Sequence, residues 1–422
     1  MKKNMMLAAV LTITGYGTAK AKDMSDNLKI TPFLDFTAGI FYSHKSYDGV
    51  SESQKNWQEA YAKYGLDGVY QLNKSEIYGS LKGISSGTFG DGDASGVSNG
   101  KERRTSFEEW TIGWRNGHEK KGAIDLSIGR QNVQIADGFL VAGDALNLGK
   151  GIPESNRGGA YYLAARRSFS FTTVLNYQLT DHLKTHWYYL NSDNKAQNKP
   201  SLWATDWEYA FKNANIGATF LQINHVDDPF KDNIRDDLKD YAVRAKIQVN
   251  EKLKLSGEYV YQKQKNEHAN AWYVTMDYIF LDTPFQPQLG YRYSTFSKDY
   301  DALFYGNTDA GFGTWFQGEV AGNYAGPFSK NARIQQISLQ ASVKENLNIG
   351  LLGYQFNTIN KNQYNLNGHE IDMFAIWSVT KNVSIIPLIG FYKPEQDLSR
   401  GGSQVMDNNV NTYMQVLLQY LY

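Results

Sequence analysis

Tyr241-Ala242-Val243-Arg244-Ala245-Lys246-Ile247-Gln248-Val249 is the stretch that decides the fold. Tyr241, Val243, Ala245, Ile247 and Val249 fall on one face, and Arg244, Lys246 and Gln248 on the other. A period of two is the signature of an extended strand with one apolar and one polar side. Asn250-Glu251 then supplies a turn, and Leu253, Leu255, Tyr259 and Tyr261 resume the apolar face opposite Lys254, Ser256, Glu258 and Gln262. The unit is a hairpin.

The same hairpin recurs along the chain. It appears at 171–190 around Thr180-Asp181-His182, and at 203–224 around Lys212-Asn213-Ala214. It returns at 337–356 around Glu345-Asn346 and at 371–391 around Thr380-Lys381-Asn382. Long polar segments separate the hairpins, at 85–104, 132–167, 226–239, 297–331 and 393–410. Short turns alternating with long loops describe an all-β transmembrane antiparallel β-barrel, with short periplasmic turns and long extracellular loops. Strands are expected near 30–43, 60–72, 76–84, 105–115, 123–131, 168–179, 183–191, 203–211, 215–224, 240–249, 252–263, 271–280, 286–296, 333–343, 347–357, 369–379, 383–392 and 411–422. The number of strands is thus about 18. A further strand-like stretch, 313–324, would put the turn at Glu345 on the wrong side, so it is assigned to a loop folded inward. Trp110, Trp114, Trp187, Tyr189, Trp203, Trp272 and Trp377 sit near strand ends, where amphipathic rings suit a lipid–water boundary.

Composition agrees. The 422 residues carry 43 basic and 43 acidic side chains and no Cys. That excludes a strongly basic nucleic-acid binder, a disulfide scaffold and Cys-ligated metal centres. Mean hydropathy is −0.51, too polar for a bundle of membrane helices. Tyr (29) and Trp (9) together outnumber Phe (21). At the N-terminus, Lys2 and Lys3 precede an apolar run from Met5 to Ile13 and an Ala19-Lys20-Ala21 site. This pattern predicts a secretory signal peptide over 1–21 and a barrel over 22–422. Thr412, Met414, Val416, Leu418, Tyr420 and Tyr422 share one face of the final strand, which resembles the signal read by the barrel-insertion machinery.

Charges on strand interiors cost several kcal/mol facing lipid, so they are placed in the lumen. The pore-lining set comprises Lys63, Arg115, Arg244, Lys246, Lys254 and Arg292, with Glu109, Asp206, Glu208, Glu258, Asp277 and Asp372. Its bases bunch as a strip at Arg244, Lys246, Lys254 and Arg292. The pairs Asp206/Glu208 and Glu370/Asp372 stand to either side, an arrangement expected to set up a transverse field. No catalytic residue is assigned: no nucleophile elbow or phosphate loop is present, and His182, His186 and His225 lack metal-site spacing. No metal or cofactor is called for. Asp91-Gly92-Asp93 reads either as a calcium loop or as a solvated loop tip, the second being commoner.

Two segments resemble the bacterial alginate export family of outer-membrane barrels. One is Leu126-Ser127-Ile128-Gly129-Arg130-Gln131 followed by Ala136-Asp137-Gly138-Phe139-Leu140-Val141. The other is Tyr300-Asp301-Ala302-Leu303-Phe304-Tyr305-Gly306, then Trp315-Phe316-Gln317-Gly318-Glu319-Val320 and Ser329-Lys330-Asn331. The resemblance implies a monomeric porin in the bacterial outer membrane, in contact with lipid, with an Arg-rich constriction to which Arg130 belongs. Alternation instead puts Arg130 with Ile124, Leu126 and Ile128, unless a bulge or the strand end intervenes. Acids also outnumber bases in the strand interiors, so alginate as the cargo does not follow. The leading expectation is a passive channel for small hydrophilic solutes, anions included. An OprD-like specific porin for amino acids or carboxylates, or a plugged barrel acting as a surface adhesin, are the alternatives.

Overall fold

A computed structural model describes residues 22–25, 27–117, 120–227, 235–306 and 313–422. The expected signal peptide lies outside the described residues. The strands are β1 (Lys22–Ser25), β2 (Leu28–Ser43), β3 (Lys55–Gln71), β4 (Glu76–Gly90), β5 (Glu102–Arg115), β6 (Ile124–Asn132), β7 (Ser168–Gln178), β8 (Leu183–Asn191), β9 (Ser201–Ala210) and β10 (Ala214–His225). They continue as β11 (Lys239–Gln248), β12 (Leu253–Lys263), β13 (His268–Ile279), β14 (Gln288–Phe296), β15 (Ala332–Lys344), β16 (Leu347–Thr358), β17 (Gly368–Ser378), β18 (Val383–Pro394) and β19 (Asn411–Leu421). From β2 to β19 each strand pairs antiparallel with its sequence neighbours. The ring closes where β19 pairs with β2, through Tyr413↔Ser43 to Leu421↔Asp35. The result is a closed barrel of 18 strands. Closure leaves no strand edge for another chain to extend.

The eighteen expected strands coincide with β2 to β19 within a few residues at most ends. Two differences stand out. β4 and β5 reach further into the expected 85–104 loop, whose Gly-rich sequence still pairs as sheet up to Gly90 against the N-terminal part of β3, itself longer than expected. The stub β1, which folds back on Leu28–Ile30 of β2, was not anticipated.

The alternation reappears as two surfaces. Phe107, Ile112, Val243 and Ile337 face outward and are each more than half exposed to whatever surrounds the barrel. Trp110, Trp187, Tyr189 and Trp377 are also exposed on that face, whereas Trp57 and Trp315 lie buried in the interior. At the first end of the barrel the connections between β3 and β18 are only two to eight residues long. The other end carries the long connections. Two of them fold into the barrel: 133–167 between β6 and β7, and the described parts, 297–306 and 313–331, of the connection between β14 and β15. Phe139, Leu140, Val141, Tyr300, Phe304, Trp315 and Tyr324 from these loops pack against Phe41, Trp57, Phe169 and Phe296 of the wall in one buried core. The interior is thus narrowed by apolar packing as well as lined by charge.

Candidate functional site

The wall charges are mostly satisfied locally. Arg244 donates to both oxygens of Asp206, at 2.6 and 2.8 Å, and lies 3.5 Å from Glu208. Glu258 stands directly across the β11–β12 ladder from Arg244. Gly217 faces the guanidinium from β10; a Cβ there would sit 2.3 Å from Arg244 Cζ. The absence of a side chain at 217 is what lets the planar group lie flat against the wall. Arg292 stacks over the ring of Tyr273, 3.9 Å from its centroid, and donates to Ser294 Oγ. Lys254 is opposite Asp277 in the β12–β13 ladder, and Lys246 is opposite Ser256. Glu109 bridges Lys63 and Lys82, at 3.3 and 3.0 Å, and Arg115 pairs with Glu76.

This corrects the expected transverse field. Asp206 and Glu208 do not face the basic strip across a gap; they neutralise its first member within the sheet, because β9, β10 and β11 are adjacent. Asp372 is buried beside Glu370 on β17 and takes part in seating a loop rather than lining open lumen.

The loops are held by polar contacts to that wall. Tyr273 donates its hydroxyl to Asp137 of the 133–167 loop. The Leu163 N–H donates to Glu59 on β3 at 3.1 Å, and Gln415 on β19 donates to the Tyr162 hydroxyl at 2.7 Å. In the second loop a π-helical turn, Ala321–Ala325, begins against Glu370. The backbone N–H groups of Glu319, Val320 and Ala321 donate to that carboxylate at 2.5, 2.7 and 2.9 Å. Gln336 and Tyr354 both donate to the carbonyl of Trp315. The two loops also meet each other: Tyr161 donates to the Asn323 carbonyl, and Ala142 to that of Phe304.

Arginines collect where the first loop leaves and rejoins the wall. Arg157 pairs with Asp144 at 3.0 Å and with Asp193 at 3.2 Å, and Arg130 reaches the other oxygen of Asp193 at 2.9 Å. Arg166, only 1% exposed, lies 3.7 Å from Glu108. Its Nε and Nη2 have no hydrogen-bond partner among the described residues. Arg104 stands on the inward parity of β5, opposite Ser86, and is exposed without an ion pair among the described residues. Burial opposes ionisation of Asp193, but Arg130, Arg157 and Arg104 outweigh it and hold the carboxyl below its ordinary value. Burial pushes Arg166 down to about 10, Glu108 opposes that, and the charges of Arg104, Arg157 and Arg130 add to it. The corner is therefore rich in positive charge with some donors unspent.

Arg130 itself is not where a pore residue of the wall would be. In the β5–β6 ladder it is opposite outward-facing Trp110, as alternation requires. The register of β6 against β7 slips between Gly129 and Gln131, with Gly129 at φ +134°. From this bulge the side chain reaches Asp193 in the β8–β9 loop. Arg104, Arg157 and Arg166 were absent from the expected set. The one signal for Arg104 and Arg166 was the doubled pairs Arg103-Arg104 and Arg166-Arg167, each closing a long polar segment; Arg157 had none. His186 contacts Asn176 at 2.6 Å and, among the described residues, no group of His or acidic side chains is arranged to hold a metal ion. Asp93 accepts from the backbone and hydroxyls of Ser95 and Ser98, which is the loop-tip role rather than an open ligand.

No protein-family profile and no curated protein matches the chain. Solved structures do. OccAB1 of Acinetobacter baumannii aligns over 96% of this chain and 99% of its own, with a TM-score of 0.63 at 12% identity. OpdQ of Pseudomonas aeruginosa covers 93% and 97%, with a TM-score of 0.61 at 11% identity. OccK7 (OpdD) of the same species covers 93% and 98%, with a TM-score of 0.58 at 11% identity. These are outer-membrane porins and not alginate exporters, so the resemblance to the alginate export family finds no support. At such identities the likeness is one of fold: this chain has the closed 18-stranded architecture of the outer-membrane porin barrels.

Proposed function

We propose that the protein is an outer-membrane channel of a Gram-negative bacterium, not an enzyme, and that it passes small solutes bearing a carboxylate. The OprD-like specific porin is the better of the two channel readings, and the matched structures are of that kind. The outward apolar face supports placement in a bilayer, with tight turns toward the periplasm and long loops toward the medium. Lipid, the solute and, through β19, the insertion machinery are the partners of this reading. It needs no cofactor and no energy source.

The observation that carries it is the arginine corner. Arg104, Arg130, Arg157 and Arg166 gather against Glu108, Asp144 and Asp193. Arg104 is exposed and without an ion pair among the described residues, so it can meet a solute, while buried Arg166 adds positive charge to the same corner. A guanidinium edge matches a carboxylate in two parallel hydrogen bonds. Loops packed into the barrel narrow the path enough for such contacts to discriminate among solutes.

The test is the current through single refolded barrels in a planar bilayer under a salt gradient. A steady conductance with anion-favouring reversal potential, reduced by a small carboxylate added to one side, is the expected result. A folded barrel with no conductance refutes the channel. Cation preference with no effect of carboxylates refutes the solute class.

A further inference from the structure

Among the described residues, the seat of the second loop contains three carboxyl groups and no cation. Glu319 lies on the loop, and Glu370 and Asp372 lie on β17; none is more than 1% exposed. Glu370 takes the three backbone N–H groups described above, one of them from Glu319 itself. Those bonds offset part of the cost of burying a charged carboxyl there. Both oxygens of Asp372 lack a hydrogen-bond partner among the described residues. Two further negative charges cannot be held beside Glu370 in such a site.

The remaining titratable groups around Glu319 add no positive charge. Tyr162 approaches from the first loop and Tyr413 from β19. Tyr354 faces the acids from β16, and Glu59 on β3 lies beyond Tyr324. We propose that the segment 313–331 is a proton-held gate: protonated Glu319 lets it seat against Glu370 and Asp372, and loss of that proton lifts it from the wall. The consequence for conduction rests on the channel reading above; the movement of the segment does not.

The sign follows from burial. Burial pushes the Glu319 carboxyl from 4.5 up to about 8, Tyr162 opposes that, and Glu370 adds to it. In the lifted state Glu319 meets water and returns toward its ordinary value. The seated state is therefore favoured fully below about pH 4.5. The ratio of seated to lifted molecules then falls about tenfold per pH unit and levels off above about pH 8.

The experiment is single-channel recording of the refolded protein from pH 4.5 to 9, beside Glu319→Gln and Asp372→Asn. The wild type should change conductance stepwise within pH 5–8. Glu319→Gln should hold the acid-side conductance throughout, and Asp372→Asn, which can never take on a like charge beside Glu319 and Glu370, should move the step to higher pH. A wild type with no step, a Glu319→Gln variant that keeps it, or an Asp372→Asn variant that leaves it unmoved or lowers it overturns the gate. The native chain has no Cys. A single Ala321→Cys substitution therefore reports the movement without conduction. At pH 8 it should react with a maleimide faster in the wild-type background than beside Glu319→Gln; equal rates overturn the proposal. No current at any pH, with unequal labelling rates, refutes the channel and leaves the gate standing.

Discussion

Glu108 is the residue on which the arginine corner hangs, and its removal has a calculable cost. It is fully buried on β5. One carboxylate oxygen accepts the N–H of Arg167 at 2.7 Å and of Ser168 at 3.0 Å, where the inward loop rejoins β7. The other lies 3.7 Å from Arg166. A hydrogen bond to a charged group contributes about 1.5–3 kcal/mol net. Breaking a buried pair by deleting one partner costs about 3–5 kcal/mol, because the survivor is left uncompensated. The two figures overlap, since the same carboxylate makes all three contacts. Glu108→Ala should therefore lose about 4 kcal/mol. Glu108→Gln keeps an oxygen for the two N–H groups and should lose about half as much. Adding Arg166→Met to Glu108→Ala removes the stranded charge and should restore about 1–2 kcal/mol. Urea unfolding of the refolded barrels, followed by tryptophan fluorescence, yields each value from midpoint and slope. Loss of under about 1 kcal/mol in Glu108→Ala, or a further loss on adding Arg166→Met, refutes the reasoning.

Three further outcomes are expected. Arg104→Glu reverses an exposed lumen charge; near water that interaction is about 1 kcal/mol, so the chloride-to-potassium permeability ratio should fall roughly fivefold, and an unchanged reversal potential refutes it. Asp206→Asn strips Arg244 of its carboxylate inside the wall and should lower the urea midpoint by the equivalent of about 3 kcal/mol; an unmoved midpoint shows the pair to be idle. Gly129→Ala puts a Cβ 2.1 Å from the Trp110 carbonyl oxygen at a φ of +134°, and should cost at least about 1–3 kcal/mol. Its yield of heat-modifiable barrel measures that, and a wild-type yield counts against the strained bulge.

The strands were legible because a sheet with lipid on one side and water on the other must alternate, as Tyr241 to Val249 does. Parity sets Arg244, Lys254, Glu258 and Asp277 on the face opposite Val243 and Tyr259. What parity cannot convey is who sits across the ladder. Arg244 and Asp206 lie 38 residues apart and meet only because β9, β10 and β11 are neighbours, so a strip and a patch became one ion pair. The loops were harder. Arg157 and Arg166 lie in a segment without periodicity, and their role depends on Asp144, Asp193 and Glu108 converging from two connections and a strand. Inward folding of 313–324 was readable from strand parity, but the acidic seat beneath it was not. Glu370 and Asp372 on a strand look like lumen charge until Glu319 is laid over them.

The junction of β2 with β19 has a bearing on how the molecule is made. Every other pairing in the ring joins strands that follow one another along the chain, but Ser43 and Asn411, at this junction, are separated by 368 residues. Seventeen hairpin-like steps can zip locally; the eighteenth must wait for both termini of the sheet to meet, and long-range closure of that kind is slow. Until then β2 offers its ladder groups to any passing strand. Once β19 arrives it covers β2 only from Leu34 upward, with Tyr422 and Leu34 exchanging backbone bonds at its limit. The residues below, Leu28 to Ile30, are covered by β1 doubling back. That four-residue stub acts as the selvedge of the weave: it binds the outermost part of the border that the returning strand is too short to reach.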